Sequence, residues 1–168
     1  MISPEERLSS VYAHNVDRVH GFLLARCGSR ALAEDLTGVT FEEAAKAFAR
    51  GNEDTVTPSW LLTVGRRRLI DHWRRAEGLR RRMDTLRAEK LSDDLRLVHP
   101  DTSPSADDRV MTALESLSSR QRAALTLRYL DDYSVSEVAA TLETSYRSAE
   151  SLLARARRAF KTAYEEAS

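Results

Sequence analysis

The chain has 168 residues, 42% hydrophobic and 31% charged, with a formal net charge of zero, so it holds enough apolar material for one domain or two small ones. Nothing at its start resembles a signal peptide, and no apolar run approaches the roughly 18 residues a membrane span needs; a cytoplasmic protein without membrane insertion is expected. The lone Cys27 excludes an intramolecular disulfide framework, and six Gly, four Pro and the lack of sustained period-two alternation predict an all-α fold.

In chain order, Ser3-Pro4-Glu5-Glu6 starts a helix with a Ser cap, Pro in the first turn and Glu closing a capping box. Val11, Tyr12, Val16, Val19 and Leu23 give it an inward stripe as far as Cys27, where Gly28 can end it. A second helix begins near Arg30, carries Phe41, Ala44, Ala45 and Phe48 on one face, and stops at Gly51. After the loop Gly51–Thr57, Thr57-Pro58 caps a third helix on which Trp60, Leu61, Val64, Leu69, Ile70 and Trp73 ride among many arginines. This first unit should end near residue 77. Residues 78–107 lose apolar positions, turn acidic and contain two prolines, which predicts a flexible linker. Beyond it come a short helix at Val110–Leu117 and a helix from Ser118 or Ser119 to Leu130, with Ser118 and Gln121 forming a capping box.

The stretch Ser134–Phe160 carries the most information. Val135, Val138, Ala139 and Leu142 form one apolar face; Glu143–Ser145 break it; Ala149, Leu152, Leu153, Ala156 and Phe160 form a second. Ser134 and Glu137 make a capping box for the first helix, and Ser145 is placed to cap the second. This is the pattern of a helix-turn-helix, whose second helix would turn Tyr146, Arg147, Ser148 and Ser151 toward base edges in the major groove. Zero net charge looks wrong for a DNA binder until it is located. Residues 1–59 carry −3, residues 60–90 carry +6, residues 91–109 carry −3, and residues 110–168 balance. The local field steers a polyanion, so the basic helix from Trp60 to Arg75 is the expected phosphate grip, with Trp60 available to stack on an unpaired base.

Catalysis has no candidate site. His14, His20, His72 and His99 are scattered without acidic or Cys neighbours at zinc spacing, and there is no Gly-rich phosphate loop. The neighbouring acids Glu34-Asp35 and Glu42-Glu43 point in different directions on a helix, and Cys27 follows an apolar stretch. No metal, cofactor or small-molecule substrate is expected.

Three segments together resemble a known family. They are AEDLTGVTFEEA (Ala33–Ala44), WLLTVGRRRLIDHWRR (Trp60–Arg75) and the block from Ala113 to Phe160. In order and spacing they are similar to the sigma factors of bacterial RNA polymerase, of the extracytoplasmic-function type that has only sigma domains 2 and 4. The resemblance implies two small helical domains, 1–77 and 108–168, joined by the linker 78–107. Asp35, Leu36, Phe41 and Glu42 would dock on the clamp of core polymerase, with Phe41 partly core. The loop Gly51–Ser59 and Trp60 would meet a flipped base of the −10 element, and Arg67, Arg68, Asp71, His72, Arg74 and Arg75 would contact that region. Ser145, Tyr146, Arg147, Ser148, Ser151 and Arg155 would lie at the −35 element. Leu125, Arg128 and Tyr129 would dock on the polymerase flap, and the linker would thread toward the active centre. An anti-sigma factor is a further implied partner; no enzymatic activity is.

The sequence departs from the family pattern at several places. Gly38 and Val39 replace a usual Gln and acid, Gly65 and Arg67 stand where Ala and Asn are common, Glu143 fills a turn position often held by Gly, and Ala149 replaces a branched residue. The rival reading is a dimeric helix-turn-helix regulator with an N-terminal sensing or dimerisation domain. It would bind duplex DNA without polymerase but leaves the basic helix unexplained.

Overall fold

The computed structural model describes residues 3–89 and 106–167, and among these it contains helices and no strand. The helices are α1 (Pro4–Cys27), α2 (Arg30–Ala49), α3 (Pro58–Glu89), α4 (Ala106–Ser116), α5 (Ser119–Leu125), α6 (Val135–Thr141) and α7 (Tyr146–Glu166). They divide into two compact units, the first reaching His72 and the second starting at Trp73.

Local chemistry sets most helix starts. The capping boxes Ser3/Glu6, Ser118/Gln121 and Ser134/Glu137 all form, each with both reciprocal bonds. Ser29, Thr57 and Ser145 cap α2, α3 and α7 with their hydroxyls. Each hydroxyl satisfies an amide that the helix itself leaves without a partner. Gly28 (φ 67°) and Gly51 (φ 72°) end the first two helices in the left-handed region, where glycine carries no Cβ penalty.

In the first unit α1 packs on α2; Val19 and Leu23 of the one and Ala33, Phe41 and Ala44 of the other are buried. Leu61 and Leu69 of α3 are also buried. Gly65 faces this core: a Cβ there would lie 3.4 Å from Thr40 Oγ1 and 3.6 Å from Leu23 Cδ2, an ordinary contact distance. An alanine at this position would therefore fit. Tyr12 departs from the expected inward stripe: it is half-exposed and lies edge-on to Phe41, ring centres 4.8 Å apart.

The second unit gathers α4, α5 and α6 on α7. Leu114, Leu127, Val138, Ala149, Leu153 and Ala156 are among its buried residues. Arg109 of α4 lies over the Tyr164 ring of α7 at 4.6 Å. Trp73 is buried, with the Arg122 guanidinium 4.4 Å from its ring centre. Nearby, Glu77 accepts a hydrogen bond from the Ser119 hydroxyl, which holds its carboxyl below the ordinary glutamate range.

Three expectations about element boundaries change; the first is that helix α4 begins at Ala106, inside the expected linker, rather than at Val110. Helix α3 continues to Glu89, through residues expected to be linker; residues 90–105 of that linker lie outside the described residues. The helix expected from Ser118 or Ser119 to Leu130 starts at Ser119, is α-helical only to Leu125 and then widens into a π-helical turn, Thr126–Leu130. That turn closes with Asp131 N–H donating to Thr126 O and Tyr133 N–H to Leu127 O, and it places Asp132 at φ 55°.

Candidate nucleic-acid interface and docking surfaces

Helices α6 and α7 and the turn between them form a helix-turn-helix. Helix α6 ends in a Schellman motif: Thr144 N–H donates to Ala139 O (2.9 Å) and Glu143 N–H to Ala140 O (3.2 Å). The residue this motif puts in the left-handed region is Glu143, at φ 51°, where glycine is the usual occupant. Ser145 follows in extended conformation, accepts from Ser148 N–H (3.2 Å) and donates its hydroxyl proton to Ser148 Oγ (2.8 Å). Helix α7 buries Ala149, Leu152, Leu153 and Ala156, so the small Ala149 packs as a core residue. Ser145, Tyr146, Arg147, Ser148, Ser151 and Arg155 are all exposed, and Arg155 Nε donates to Ser151 O at 3.3 Å. Glu150 and Arg158, not singled out in the sequence, are exposed on the same side of α7. Helical spacing is the signal that could have found them: Glu150 follows Arg147 by three positions, and Arg158 follows Ser151 by seven.

On α3 the arginine run divides. Arg66 lies over the Phe22 ring at 5.2 Å, and Arg68 pairs with Glu43 of α2 at 2.9 Å. Arg67 between them is exposed. Glu43 also takes Lys46 at 2.8 Å; that hydrogen bond first, then the charges of Lys46, Arg68 and Arg50, hold its carboxyl below the ordinary range. His72, Arg74 and Arg75 are exposed, while Trp60 and Asp71 are half-buried. The loop after Gly51 is tied to α1: Arg7 bonds Glu53 at 2.8 Å and lies 3.6 Å from Asp54, and Val56 of the same loop is buried. The expected set is thus brought to one helix and its preceding loop, with Arg68 engaged inside the unit.

The expected docking residues separate by depth. Asp35 and Glu42 are exposed on α2, whereas Leu36 and Phe41 are each only 7% exposed and belong to the core. Gly38 shares the outer face with Asp35 and Glu42 and has open space around it. In the second unit Leu125 is buried, Arg128 donates to Tyr133 O at 3.0 Å, and Tyr129 is 55% exposed. Tyr129 borders an apolar groove of about 330 Å³ lined also by Val110, Leu114, Leu125, Leu130 and Phe160. Arg157 at its edge donates to the Tyr129 hydroxyl at 3.3 Å. Thr126 Oγ1 is buried at this groove without a hydrogen-bond partner among the described residues.

Two family models match these two regions: sigma-70 region 2 over residues 11–78, and sigma-70 region 4 over residues 107–160. The chain belongs to the sigma-70 family. Among its relatives is the RNA polymerase sigma factor CarQ of Myxococcus xanthus, 27% identical over 139 residues that span 81% of this chain and 76% of that protein. Another is the extracytoplasmic-function sigma factor SigM of Bacillus subtilis, 28% identical over 164 residues and 94% of each chain. In fold this sigma factor is similar to RpoE of Bartonella quintana, solved with the anti-sigma factor NepR: TM-score 0.55, 20% identity, 94% of this chain and 96% of that one. Region 2 thus takes in the α3 arginines from Arg66 to Arg75, and region 4 the helix-turn-helix and the apolar groove. Among the described residues no group of three or more His, Cys, Asp or Glu could hold a metal, and no helix is long and apolar enough to cross a membrane.

Proposed function

We propose that this sigma factor binds core RNA polymerase in the cytoplasm and directs initiation at promoters with −10 and −35 elements, without making or breaking a bond itself. The observation that carries the reading is the capped helix-turn-helix with an exposed polar face on α7, in one chain with the basic helix α3. Tyr146, Arg147, Ser148, Ser151 and Arg155 would enter the major groove at the −35 element, with Ser145 fixing the helix that carries them. Arg67, His72, Arg74 and Arg75 would grip phosphates around the −10 element, and Trp60 and the Gly51–Ser59 loop would hold a base released from the stack. Binding the unstacked base offsets the few kcal/mol that its release costs.

Core docking would use the exposed part of the expected set. Asp35 and Glu42 offer charge on α2, and Leu36 and Phe41 support that face from below. Tyr129 with the apolar groove suits a partner segment carrying apolar side chains, as expected of the flap, and the same surfaces would serve an anti-sigma factor. Domains 1–77 and 108–168, with the segment between them as connector, are the division we assign to these roles.

Run-off transcription over a library of genomic upstream fragments tests the proposal. Initiation by core polymerase only when this protein is added, from sites sharing two short elements at fixed spacing, is the expected result. Binding to duplex DNA with no stimulation of core would overturn it in favour of the dimeric regulator.

A further inference from the structure

The exposed side of α7 that would face DNA is not uniformly cationic. Glu150 lies in the second helical turn, 100° round from the buried Ala149 and one turn beyond the half-exposed Tyr146. Arg147 precedes it by three residues and Ser151 follows it, so its carboxylate sits among the residues placed to reach base edges. Glu165, further along the same helix, lies 3.9 Å from Lys161; Glu150 has no partner among the described residues.

An unpaired carboxylate carried into the groove is repelled by the phosphates on both rims. A hydrogen-bond donor on a base edge offsets that repulsion. Guanine offers the major groove acceptors, and thymine an acceptor and a methyl group. Adenine offers an amine beside the N7 acceptor, which opposes a carboxylate, whereas the cytosine edge offers its N4 amine alone. We propose that Glu150 is a specificity-determining residue that selects cytosine at one position of the −35 element by accepting a hydrogen bond from N4–H. This inference rests on the initiation-factor reading above.

The experiment is run-off transcription by the complete holoenzyme from a promoter library randomised through the −35 element, with wild type, Glu150→Gln and Glu150→Ala. Glu150 is exposed and lies beyond the capped first turn, so melting curves of the variants should overlay the wild type. Wild type should favour cytosine at one position by about tenfold. Glu150→Gln, which can donate to N7 and accept from N6, should move that preference to adenine. Glu150→Ala should lose it while still initiating, and should bind DNA more tightly overall because a repelling charge is gone. Identical base preferences in all three proteins would overturn the inference and leave the initiation-factor reading intact. No initiation by wild type would overturn both.

Discussion

Glu143 is a side chain in a conformation built for glycine. The Schellman bonds around it hold it at φ 51°, where its Cβ crowds the backbone. Glu143→Gly should relieve that strain, offset in part by the greater freedom glycine gives the unfolded chain. The expected net gain is about 0.5–1 kcal/mol, read as a higher denaturant midpoint with an unchanged slope. A lower midpoint would show that the glutamate side chain contributes more than its backbone costs. Sequence shows the occupant of this position; the strain becomes visible only with the φ angle.

Helix α3 shows how three consecutive arginines acquire different roles. They lie 100° apart, so Arg66 meets Phe22, Arg68 meets Glu43, and Arg67 is left on the exposed side. Arg67→Ala should weaken promoter complexes and reduce their salt slope by about one, with no change in melting temperature. Arg68→Ala should instead lower the melting temperature of the free protein. Equal effects of the two substitutions on both measurements would contradict this division. The start of α3 is legible in Thr57-Pro58, and its basic face in the charge count. Its end is not, because the thinning of apolar residues after residue 77 reads as a loop. A helix needs no apolar face where ion pairs lace its surface, as Arg81 and Glu77 do at 3.1 Å, even with Leu79, Met83 and Leu86 exposed. Likewise the π-helical turn at Thr126–Leu130 leaves no mark in apolar spacing, and Arg68's attachment to Glu43 depends on a partner on another helix.

Over the whole molecule, zero net charge conceals groups with distinct responses to acid. Glu43, Glu77 and Glu137 all have carboxyls held below the ordinary glutamate range, Glu137 by the Ser134 backbone and hydroxyl. Their ionised forms therefore favour the folded state. That contribution is fully present above the ordinary glutamate range and is lost as the pH falls through the depressed values. Gln121 occupies the corresponding place in the α5 capping box and does not titrate. Glu137→Gln should keep the α6 box while removing its pH response, so it should lose less stability than wild type between neutral and acid pH. Parallel losses in thermal melts of the two proteins would count against this cause.

The hydroxyl caps also set the pace at which individual amides meet solvent. Six of the described helices begin with a Ser or Thr oxygen bound to the amide three residues on: Glu6, Leu32, Trp60, Gln121, Glu137 and Ser148. First-turn amides ordinarily exchange their hydrogens freely, because the helix supplies them no carbonyl. In this chain those six should exchange with deuterium more slowly than the amides just before them. For Ser148 the protection should vanish in Ser145→Ala, where loss of the cap costs about 1 kcal/mol.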